Sequence, residues 1–398
     1  MNHPDGTLQA LAVLPPGLEE VGALELASLG ATEVQQRRRA VRCRLDRAAF
    51  YRVHLQARLP FRVLRELAVF PCRHRDDLID GVQRAADWNR WLPPQNSLRV
   101  DASGSLPGLN HSHYTALQVK NALIDWQRQQ WGERSSVDLD DPDLSLHLHL
   151  SPGGPGKEPH ATLSLDGSGG SLHRRGYRSR MGLAPLKENL AAGLIALSGW
   201  DGSVPLVDPL CGSGTLLIEA ACRALALPAG LLQDGGGDWR PRRFGFERWP
   251  DFDPDLGQQE VLAARNLQSR ASNTDLAPLL GRELEPTILD QAQQNAEAAG
   301  VASRITLQPG DLRDLVPPPG PGLVVCNPPY GERIGEKDAL EDLYTDLGAL
   351  LKERFSGWSL WLLSGNPELT GALRMKASRR IPVSNGGIDC RWLRYDIR

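Results

Sequence analysis

The chain has 398 residues, with 45 lysines and arginines against 48 acidic residues, and 41% of its residues are apolar. This length is typical of two or three domains, and the composition excludes a disordered or collagen-like chain. No apolar run approaches the roughly 20 residues that a membrane-spanning helix needs, and residues 1–6 are too polar for a signal peptide. The six cysteines include no C-x-x-C pair, which argues against both disulfides and a zinc site. We therefore expect a reduced, cytoplasmic protein with no metal and no membrane contact.

The net charge of −3 hides an uneven distribution of charge along the chain. Residues 37–75 contain 12 arginines and two acidic residues, a balance of +10, whereas residues 201–398 contain 21 basic and 27 acidic residues, a balance of −6. An arginine run can be only a solvated surface, but charge separated by region is also typical of nucleic-acid contact by one part of a chain.

The first 166 residues contain two units in which short strand and helix patterns alternate. The unit over residues 1–68 has the predicted strands 8–14 and 41–45 and the predicted helices 18–29 and 47–58. The unit over residues 69–166 has the predicted helices 76–88 and 114–131 and the predicted strands 98–102, 144–150 and 161–165. Both units are of the mixed α+β type.

Residues 167–398 repeat the order strand, turn, helix, which predicts an α/β fold with a doubly wound, mainly parallel sheet. Such sheets bind ligands beyond the carboxyl ends of their strands. Residues 234–275 interrupt the pattern as a polar insertion with no clear period. The predicted strands are 204–207, 277–281, 305–308, 323–326, 359–363 and 391–397, and the predicted helices are 215–226, 288–299 and 340–354.

A glycine-containing turn joins the first strand of this region to its helix. Glycines there let a ligand approach the backbone, and the helix start offers free N–H groups. A dinucleotide fingerprint would need a third glycine where Leu217 stands, so a cofactor without a pyrophosphate fits better. Asp208, at the strand end, can accept a hydrogen bond from an ammonium group. The predicted cofactor-binding residues of this turn are Asp208, Cys211, Gly212, Ser213, Gly214 and Thr215.

Acidic residues also end the next two strands. Glu283 is preferred over Glu285 as the residue that holds a ribose diol, because it comes directly after the predicted strand. Asp311, followed by Leu312, is placed to accept from an adenine amine. One such acid is more often a helix cap, but three at successive strand ends favour a cofactor site.

The tetrapeptide Asn327-Pro328-Pro329-Tyr330 follows an apolar strand. Two prolines restrict the backbone, so the Asn327 amide oxygen and the Pro328 carbonyl are expected to face the same crevice. Together they can accept from a planar exocyclic NH2 group and align its nitrogen for attack on a methyl group. The Tyr330 ring can stack on a base that has left its helix.

These strand-end motifs resemble the S-adenosylmethionine motifs of class I methyltransferases that modify exocyclic or amide nitrogens. Segments elsewhere resemble, more specifically, the THUMP-domain RNA guanine-N2 methyltransferases, and among these the bacterial large-subunit (23S) rRNA enzymes. In some bacteria that enzyme is fused to a second methyltransferase domain; this chain ends after its last predicted strand, so we expect the unfused form. The segments that carry the resemblance are 119–125, 136–138, 142–143, 163–169, 172–178 and 184–188.

The resemblance implies a ferredoxin-like domain over 1–68, a THUMP domain over 69–166 and a Rossmann-like class I catalytic domain over 167–398, whose junction is 167–188. It implies S-adenosylmethionine as the cofactor and methylation of guanosine N2 in 23S rRNA, presented as folded RNA or in a ribosome assembly intermediate, by a monomer. Glu283 departs from the family, in which many members carry aspartate. The residues expected to bind RNA are Arg37, Arg38, Arg39, Lys120, Arg174, Arg175 and Arg178.

Several alternatives stay open at this point. The same tetrapeptide could serve tRNA guanine N2, adenine N6 of DNA or a glutamine amide, and an RNA-binding assembly factor with a vestigial site is the non-enzyme alternative. The ring-rich and arginine-rich segment 239–249 could contact the substrate or pack internally. The pairs His111/His113 and His147/His149 lack supporting carboxylates, which disfavours a metal site.

Overall fold

The N-terminal part of the computed structural model begins with four strands and two helices. The structure describes residues 6–154, 156–178, 186–233, 239–271, 275–329 and 337–398. The carboxylate of Asp46 accepts a 2.7 Å hydrogen bond from the Ala49 amide and so caps the second helix. The elements are β1 (Leu8–Val13), α1 (Glu19–Ser28), β2 (Thr32–Arg37), β3 (Ala40–Leu45), α2 (Arg47–Gln56) and β4 (Arg62–Pro71).

A second group of elements follows and matches the predicted helices and strands closely. Its long helix ends at Gly132, whose φ of +72° is the left-handed conformation that favours glycine. The elements are α3 (Arg75–Arg84), α4 (Trp88–Trp91), β5 (Leu98–Gly104), α5 (Ser112–Trp131), β6 (Leu144–Ser151) and β7 (His160–Asp166).

Both N-terminal units share one seven-stranded sheet, in the order β2-β3-β1-β4-β7-β6-β5. The two units join where β4 pairs antiparallel with β7. The predicted boundary after residue 68 therefore lies inside β4. Neither β2 nor β4 was predicted, because β2 is exposed along almost its whole length and β4 is buried on both faces at its start. We call residues 6–166 the N-terminal half.

The remainder of the chain forms a second seven-stranded sheet, in the order β12-β11-β8-β13-β14-β16-β15. Strands β12, β11, β8, β13 and β14 are parallel, and β16 runs antiparallel between β14 and β15. This confirms the doubly wound, mainly parallel α/β fold. The elements are α6 (Glu188–Ser198), β8 (Leu206–Asp208), α7 (Thr215–Ala224), β9 (Leu231–Gln233), β10 (Trp239–Pro241), α8 (Pro254–Ala271), β11 (Leu279–Glu283), α9 (Pro286–Ala298), β12 (Ile305–Pro309), β13 (Leu323–Cys326), α10 (Lys337–Arg354), β14 (Ser359–Ser364), α11 (Pro367–Ala372), β15 (Arg379–Asn385) and β16 (Ile388–Asp396).

Helices cover both faces of this second sheet. One face carries α6, α7 and α9, with a core that includes Leu190 and Leu217, and the N-terminal half packs on this side through Leu18. The other face carries α10 and α11, with a core that includes Tyr344 and Leu362. Within the described ranges, no helix combines the length and apolarity that a membrane crossing requires.

The insertion over residues 234–275 contains a helix that was not predicted. Helix α8 packs against α2 of the N-terminal half, and the Glu260 carboxylate accepts two hydrogen bonds from Arg52, of 2.8 and 3.0 Å. Apolar residues of α8 also pack against the core of the N-terminal half, namely Leu256, Val261 and Ala264. Because Glu260 interrupts their apolar face, the helical pattern is weak in the sequence.

A buried ionic network joins the N-terminal half to the domain that contains the second sheet. Glu219, on α7, has no exposed side-chain surface and lies 2.8 Å from the guanidinium of Arg175 and 3.5 Å from that of Arg58. The Tyr177 hydroxyl donates to the same carboxylate at 3.1 Å. Arg175 also donates to the Arg58 carbonyl at 2.6 Å. One carboxylate thus holds the segment after α2, the junction and α7 together; we call this set the Glu219 network.

Replacing Glu219 by glutamine should destabilise the protein, because the buried guanidinium groups of Arg58 and Arg175 would then lose the carboxylate with which they form ion pairs. We expect the free energy of unfolding to fall by about 3–5 kcal/mol, measured by denaturant titration with circular dichroism. The control is Glu20→Gln at an exposed position on α1, which should change the value by less than about 0.5 kcal/mol. Equal stability of the two variants would contradict the role given to Glu219.

Candidate active site

The predicted cofactor-binding residues meet at one edge of the second sheet. Because the strands are parallel and Asp208 is paired with Gly281, the ends of β8 and β11 lie side by side. On its other side β8 pairs with β13, with Val207 opposite Val324. Asp208, Glu283 and Asn327 therefore follow neighbouring strands at the same edge, which we call the carboxyl edge.

The glycine turn is shaped for close approach of a ligand. Gly212 has a φ of +53°, and a Cβ added there would meet nothing within 4 Å. Gly214, with a φ of +79°, precedes the first residue of α7, and a Cβ there would lie 3.3 Å from that of Ala292. Asn295 donates to the Ser213 carbonyl at 3.0 Å and fixes the turn from α9. The turn thus leaves room for a ligand at Gly212, while Ser213 and Gly214 are held against α9.

Two carboxylates face this turn. Asp208 is buried and accepts a 3.1 Å hydrogen bond from the Leu210 amide. Burial, and to a lesser extent the negative charge of Glu283, raises the pKa of Asp208 to about 7. Glu283, the last residue of β11, accepts from the Gly212 amide at 3.0 Å and from the Glu285 amide at 3.0 Å. A buried acid with a raised pKa, beside a second acid, is suited to a cationic ligand group.

Asp311 acts as a helix cap in this structure. Its carboxylate accepts from the Arg313 amide at 2.9 Å and pairs with the Arg313 guanidinium at 2.6 Å. Arg282 donates to the Asp311 backbone carbonyl at 2.6 Å, and Leu312 is buried beside it. The contact between Asp311 and the adenine stays a prediction. The Asp311 carboxylate would then have to bind the adenine amine as well as Arg313.

The Asn-Pro-Pro segment leaves the sheet directly after β13. Asn327 is half-buried, Pro328 buried and Pro329 exposed. The hydroxyl of Tyr344, a buried residue of α10, donates to the Pro329 carbonyl at 3.4 Å. Sequence reasoning missed Tyr344, since nothing in the periodicity of α10 distinguishes it from an ordinary core residue. Tyr330 lies outside the described residues, so its stacking role stays a prediction.

The cysteines beside these motifs are not activated. Cys211 and Cys326 are both buried, and burial raises the pKa of each thiol. A thiol whose pKa is raised is a poor nucleophile. Neither thiol is therefore suited to act as a nucleophile.

The arginines of the junction do not all face solvent. Arg175 is buried in the Glu219 network, and Arg178 lies 3.6 Å from Glu188 and donates to the Leu186 carbonyl and to the hydroxyl of Thr215. Both guanidinium groups are largely buried and make their contacts inside the protein, which argues against the predicted role of Arg175 and Arg178 in binding RNA phosphates. Arg174 is exposed. Arg178 instead anchors the first residue of α7, directly after the glycine turn.

The arginine run of the N-terminal half is also largely neutralised. Arg37, Arg38 and Arg39 are exposed at the turn between β2 and β3, and Lys120 is half-buried on α5. Seven of the twelve arginines form ion pairs with carboxylates, so the local balance of +10 overstates the free charge of this surface. The seven are Arg42, Arg44, Arg52, Arg58, Arg62, Arg65 and Arg73.

The ring-rich insertion segment packs internally. Phe246 is buried and stacks on Tyr51, with ring centroids 4.7 Å apart and an interplanar angle of 8°. Trp249 is buried against Phe50, and the Arg65 guanidinium lies 5.6 Å from the Trp249 ring. These rings are therefore part of the core between α2 and the insertion, which excludes them as a stacking surface for substrate in this conformation.

The histidine pairs form no metal site in the part of the chain that the structure describes, where no group of three or more candidate ligands occurs. Burial lowers the pKa of His147 to about 4, and Ser103 Oγ lies 2.9 Å from His149 Nδ1. Burial also lowers the pKa of His149, so both His147 and His149 are neutral near pH 7.

Three features together define a class I methyltransferase. They are a glycine turn after the first parallel strand, an acid at the end of the second strand and Asn-Pro-Pro after the fourth. Three family models match the chain: "RMKL-like, methyltransferase domain" over residues 175–394, "THUMP domain" over 73–154 and "RlmL ferredoxin-like domain" over 9–64. The chain belongs to the RMKL-like methyltransferase family and carries THUMP and RlmL ferredoxin-like domains. This confirms the resemblance found in the sequence; the domain boundaries stay predictions.

Relatives agree with this assignment. The chain is 41% identical over 97% of its length, and 96% of the relative's, to slr0064 of Synechocystis sp., which is provisionally named an RNA methyltransferase. It is 40% identical over 96% of its length to "Ribosomal RNA large subunit methyltransferase K/L" of Photobacterium profundum, of which the match covers 52%. The chain thus spans about half the length of the K/L relatives it matches.

Solved structures share the whole architecture. A possible methylase from Clostridium difficile 630 has a TM-score of 0.84 and 27% identity, over 98% of both chains. SMU.472, a provisionally named methyltransferase complexed with SAH, has a TM-score of 0.81 and 26% identity, over 99% of both chains.

Truncation of Phe246 tests whether the insertion rings are structural. Phe246→Ala should lower the free energy of unfolding by about 3–5 kcal/mol, because it opens a cavity among stacked rings. Val316→Ala, at a residue that is 70% exposed, is the control and should have little effect. If Phe246→Ala instead left stability unchanged and weakened RNA binding, the packing role would be wrong.

Proposed function

We propose that this protein methylates the exocyclic N2 amine of a guanosine in large-subunit rRNA, with S-adenosylmethionine as the methyl donor. The observation that carries the proposal is the Asn-Pro-Pro backbone at the carboxyl edge, one strand from a buried carboxylate and a glycine turn. The name of the K/L relatives supports rRNA as the substrate, and the SAH complex of SMU.472 supports the donor.

The residues at the carboxyl edge fit this donor. Gly212 leaves open space beside the turn, and the carboxylate of Asp208 has the sign needed for an ammonium group. Glu283 would hold the ribose, and Asp311 with Leu312 would border the adenine. When bound, the donor supplies an electrophilic methyl group on a sulfonium centre.

The protein's part in the chemistry is alignment. The Asn327 amide oxygen and the Pro328 carbonyl would accept the two N–H groups of the guanine amine, which fixes the plane of the amine and aims its nitrogen. Tyr344 holds the backbone of this acceptor pair in place by its hydrogen bond to the Pro329 carbonyl. The proton lost after transfer needs no dedicated base, because solvent can take it.

The N-terminal half would hold folded RNA. Among the residues expected to bind RNA, five have side chains that form no ion pair with a carboxylate within the described residues: Arg37, Arg38, Arg39, Lys120 and Arg174. Free cations of this kind bind phosphate oxygens without reading sequence. We place the activity in the cytoplasm, on 23S rRNA or a ribosome assembly intermediate, and expect a monomer.

Product analysis tests the proposal directly. The protein is incubated with methyl-labelled S-adenosylmethionine and, in separate reactions, unmodified 23S rRNA transcript, unmodified tRNA and DNA, and the nucleosides are then identified by mass spectrometry. We expect label in N2-methylguanosine from 23S rRNA. Label in N6-methyladenosine, only in tRNA or only in protein would contradict the proposal.

Asn327→Ala should abolish methyl transfer but leave the dissociation constant of S-adenosylhomocysteine within about twofold of wild type. The reason is that Asn327 positions the acceptor amine, whereas the donor rests mainly on the glycine turn and the carboxylates. Single-turnover transfer and calorimetric titration measure the two quantities. A parallel loss of both would show that Asn327 supports the cofactor instead.

Asp208 should make cofactor binding dependent on pH. Since its pKa is about 7 in the free protein, the carboxyl is increasingly protonated below pH 7, and a ligand ammonium then has to displace a proton. S-adenosylhomocysteine affinity should therefore fall about tenfold from pH 8 to pH 6. Asp208→Asn is expected to bind more weakly at pH 8 and to lose this dependence; an identical pH profile in that variant would refute the assignment.

A further inference from the structure

A groove of about 820 Å³ lies at the side of the second sheet that is formed by the end of β14 and by β15 and β16. It is bounded by α11, by the segment that leads from α11 to β15, and by one face of β15 and β16. Pro367, Met375 and Pro382 give it apolar surface, and three basic residues line it. We call it the cationic groove.

The charge of this groove is not neutralised. Lys376, Arg380 and Arg391 line it and are exposed, and none of the three has an ion pair within the described residues. Asp389 is the one carboxylate among the lining residues. This contrasts with the arginine run of the N-terminal half, where most guanidinium groups are paired. A groove with three free cations and one acid attracts a polyanion.

The groove lies near the carboxyl edge. Arg391 on β16 pairs with Ser364, the last residue of β14, and Leu362 of β14 pairs with Cys326, which directly precedes Asn327. Two strand spacings, about 10 Å, thus separate the strand of Arg391 from that of the catalytic tetrapeptide. Tyr344, which donates to the Pro329 carbonyl, is also in hydrogen-bond contact with the side chain of Ser364.

The N-terminal half reaches the strand that lines the groove. Gly17 lies against the backbone carbonyl of Pro382, and the Glu19 carboxylate that accepts from the Gly17 amide also accepts from the Arg39 amide. An RNA strand held in the groove can therefore run past the carboxyl edge, where the tetrapeptide stands, or past β15 towards the turn at residues 37–39.

We propose that the cationic groove binds the sugar-phosphate backbone of a single-stranded RNA segment adjacent to the target guanosine. This inference rests on the proposed function and names a second RNA contact for it. Arg380, Arg391 and Lys376 bind phosphates, and the apolar residues lie against riboses or bases. These contacts position the substrate without reading its sequence.

The test compares the wild-type chain with the double variant Arg380→Glu/Arg391→Glu and the control Arg379→Glu. Arg379 is exposed, precedes Arg380 on β15, points to the opposite face of the strand and does not line the groove. Binding of an unmodified 23S rRNA transcript is measured over a range of salt concentrations. For each chain, S-adenosylhomocysteine binding, thermal unfolding and methyl transfer are measured as well.

The double variant should bind the transcript about tenfold more weakly than wild type at low salt. The slope of the logarithm of the binding constant against the logarithm of the salt concentration should fall in magnitude by about 1.4, which is about 0.7 for each lost phosphate contact. Its cofactor affinity and unfolding temperature should match wild type, and Arg379→Glu should bind RNA within about twofold of wild type. If the double variant unfolds, Arg380→Gln/Arg391→Gln replaces it with the same expected direction.

Equal RNA affinity and equal salt slope in the double variant and the control would overturn the groove proposal while leaving the proposed function intact. A wild-type chain that binds S-adenosylhomocysteine but transfers no label to any RNA would overturn the proposed function, and the groove proposal with it. Loss of methyl transfer with unchanged RNA binding would also contradict a phosphate-binding role.

Discussion

The buried carboxylate of Glu219 constrains the geometry of the whole molecule. It lies one helical turn after Thr215, the residue that starts α7 directly behind the glycine turn, and it pairs with Arg58 from the N-terminal half and Arg175 from the junction. Burying three charged groups contributes less to stability than an apolar contact of the same size would, but it allows few alternative arrangements. The network therefore fixes the position of the N-terminal half relative to the carboxyl edge. Arg178 extends these contacts to Thr215 itself.

The distribution of free charge differs from the distribution of charged residues. The N-terminal half contains most of the arginines, but residues such as Arg52 and Arg62 are paired with carboxylates, in part from distant segments. The catalytic part has an excess of acidic residues, yet Arg380 and Arg391 stay unpaired around a groove. A count by region predicts nucleic-acid contact by one half only, whereas the paired and unpaired charges indicate contact by both halves of the chain.

The sequence was sufficient for the features that depend on neighbouring residues. Asp208, Glu283 and Asn327 were found because each follows an apolar strand, and parallel strands end at one edge. It was insufficient where partners are far apart in the chain: Arg58 and Glu219 are 161 residues apart, and Arg175 looked like a free linker cation. Helix α8 was missed for the same reason, since Glu260 gains its meaning only from Arg52, and Tyr344 gives no local sign of its contact with Pro329.

The central claim is that one RNA strand contacts both basic surfaces while its target base is at the carboxyl edge. Photochemical cross-linking of unmodified 23S rRNA transcript to the full chain, in the presence of S-adenosylhomocysteine, tests it most directly when the linked peptides are mapped by mass spectrometry. The account predicts cross-links in three places: the turn at residues 37–39, the segment that contains Asn327, and the groove segments around Arg380 and Arg391. Cross-links confined to the N-terminal half, or absent from the groove and from the residues around Asn327, would contradict it.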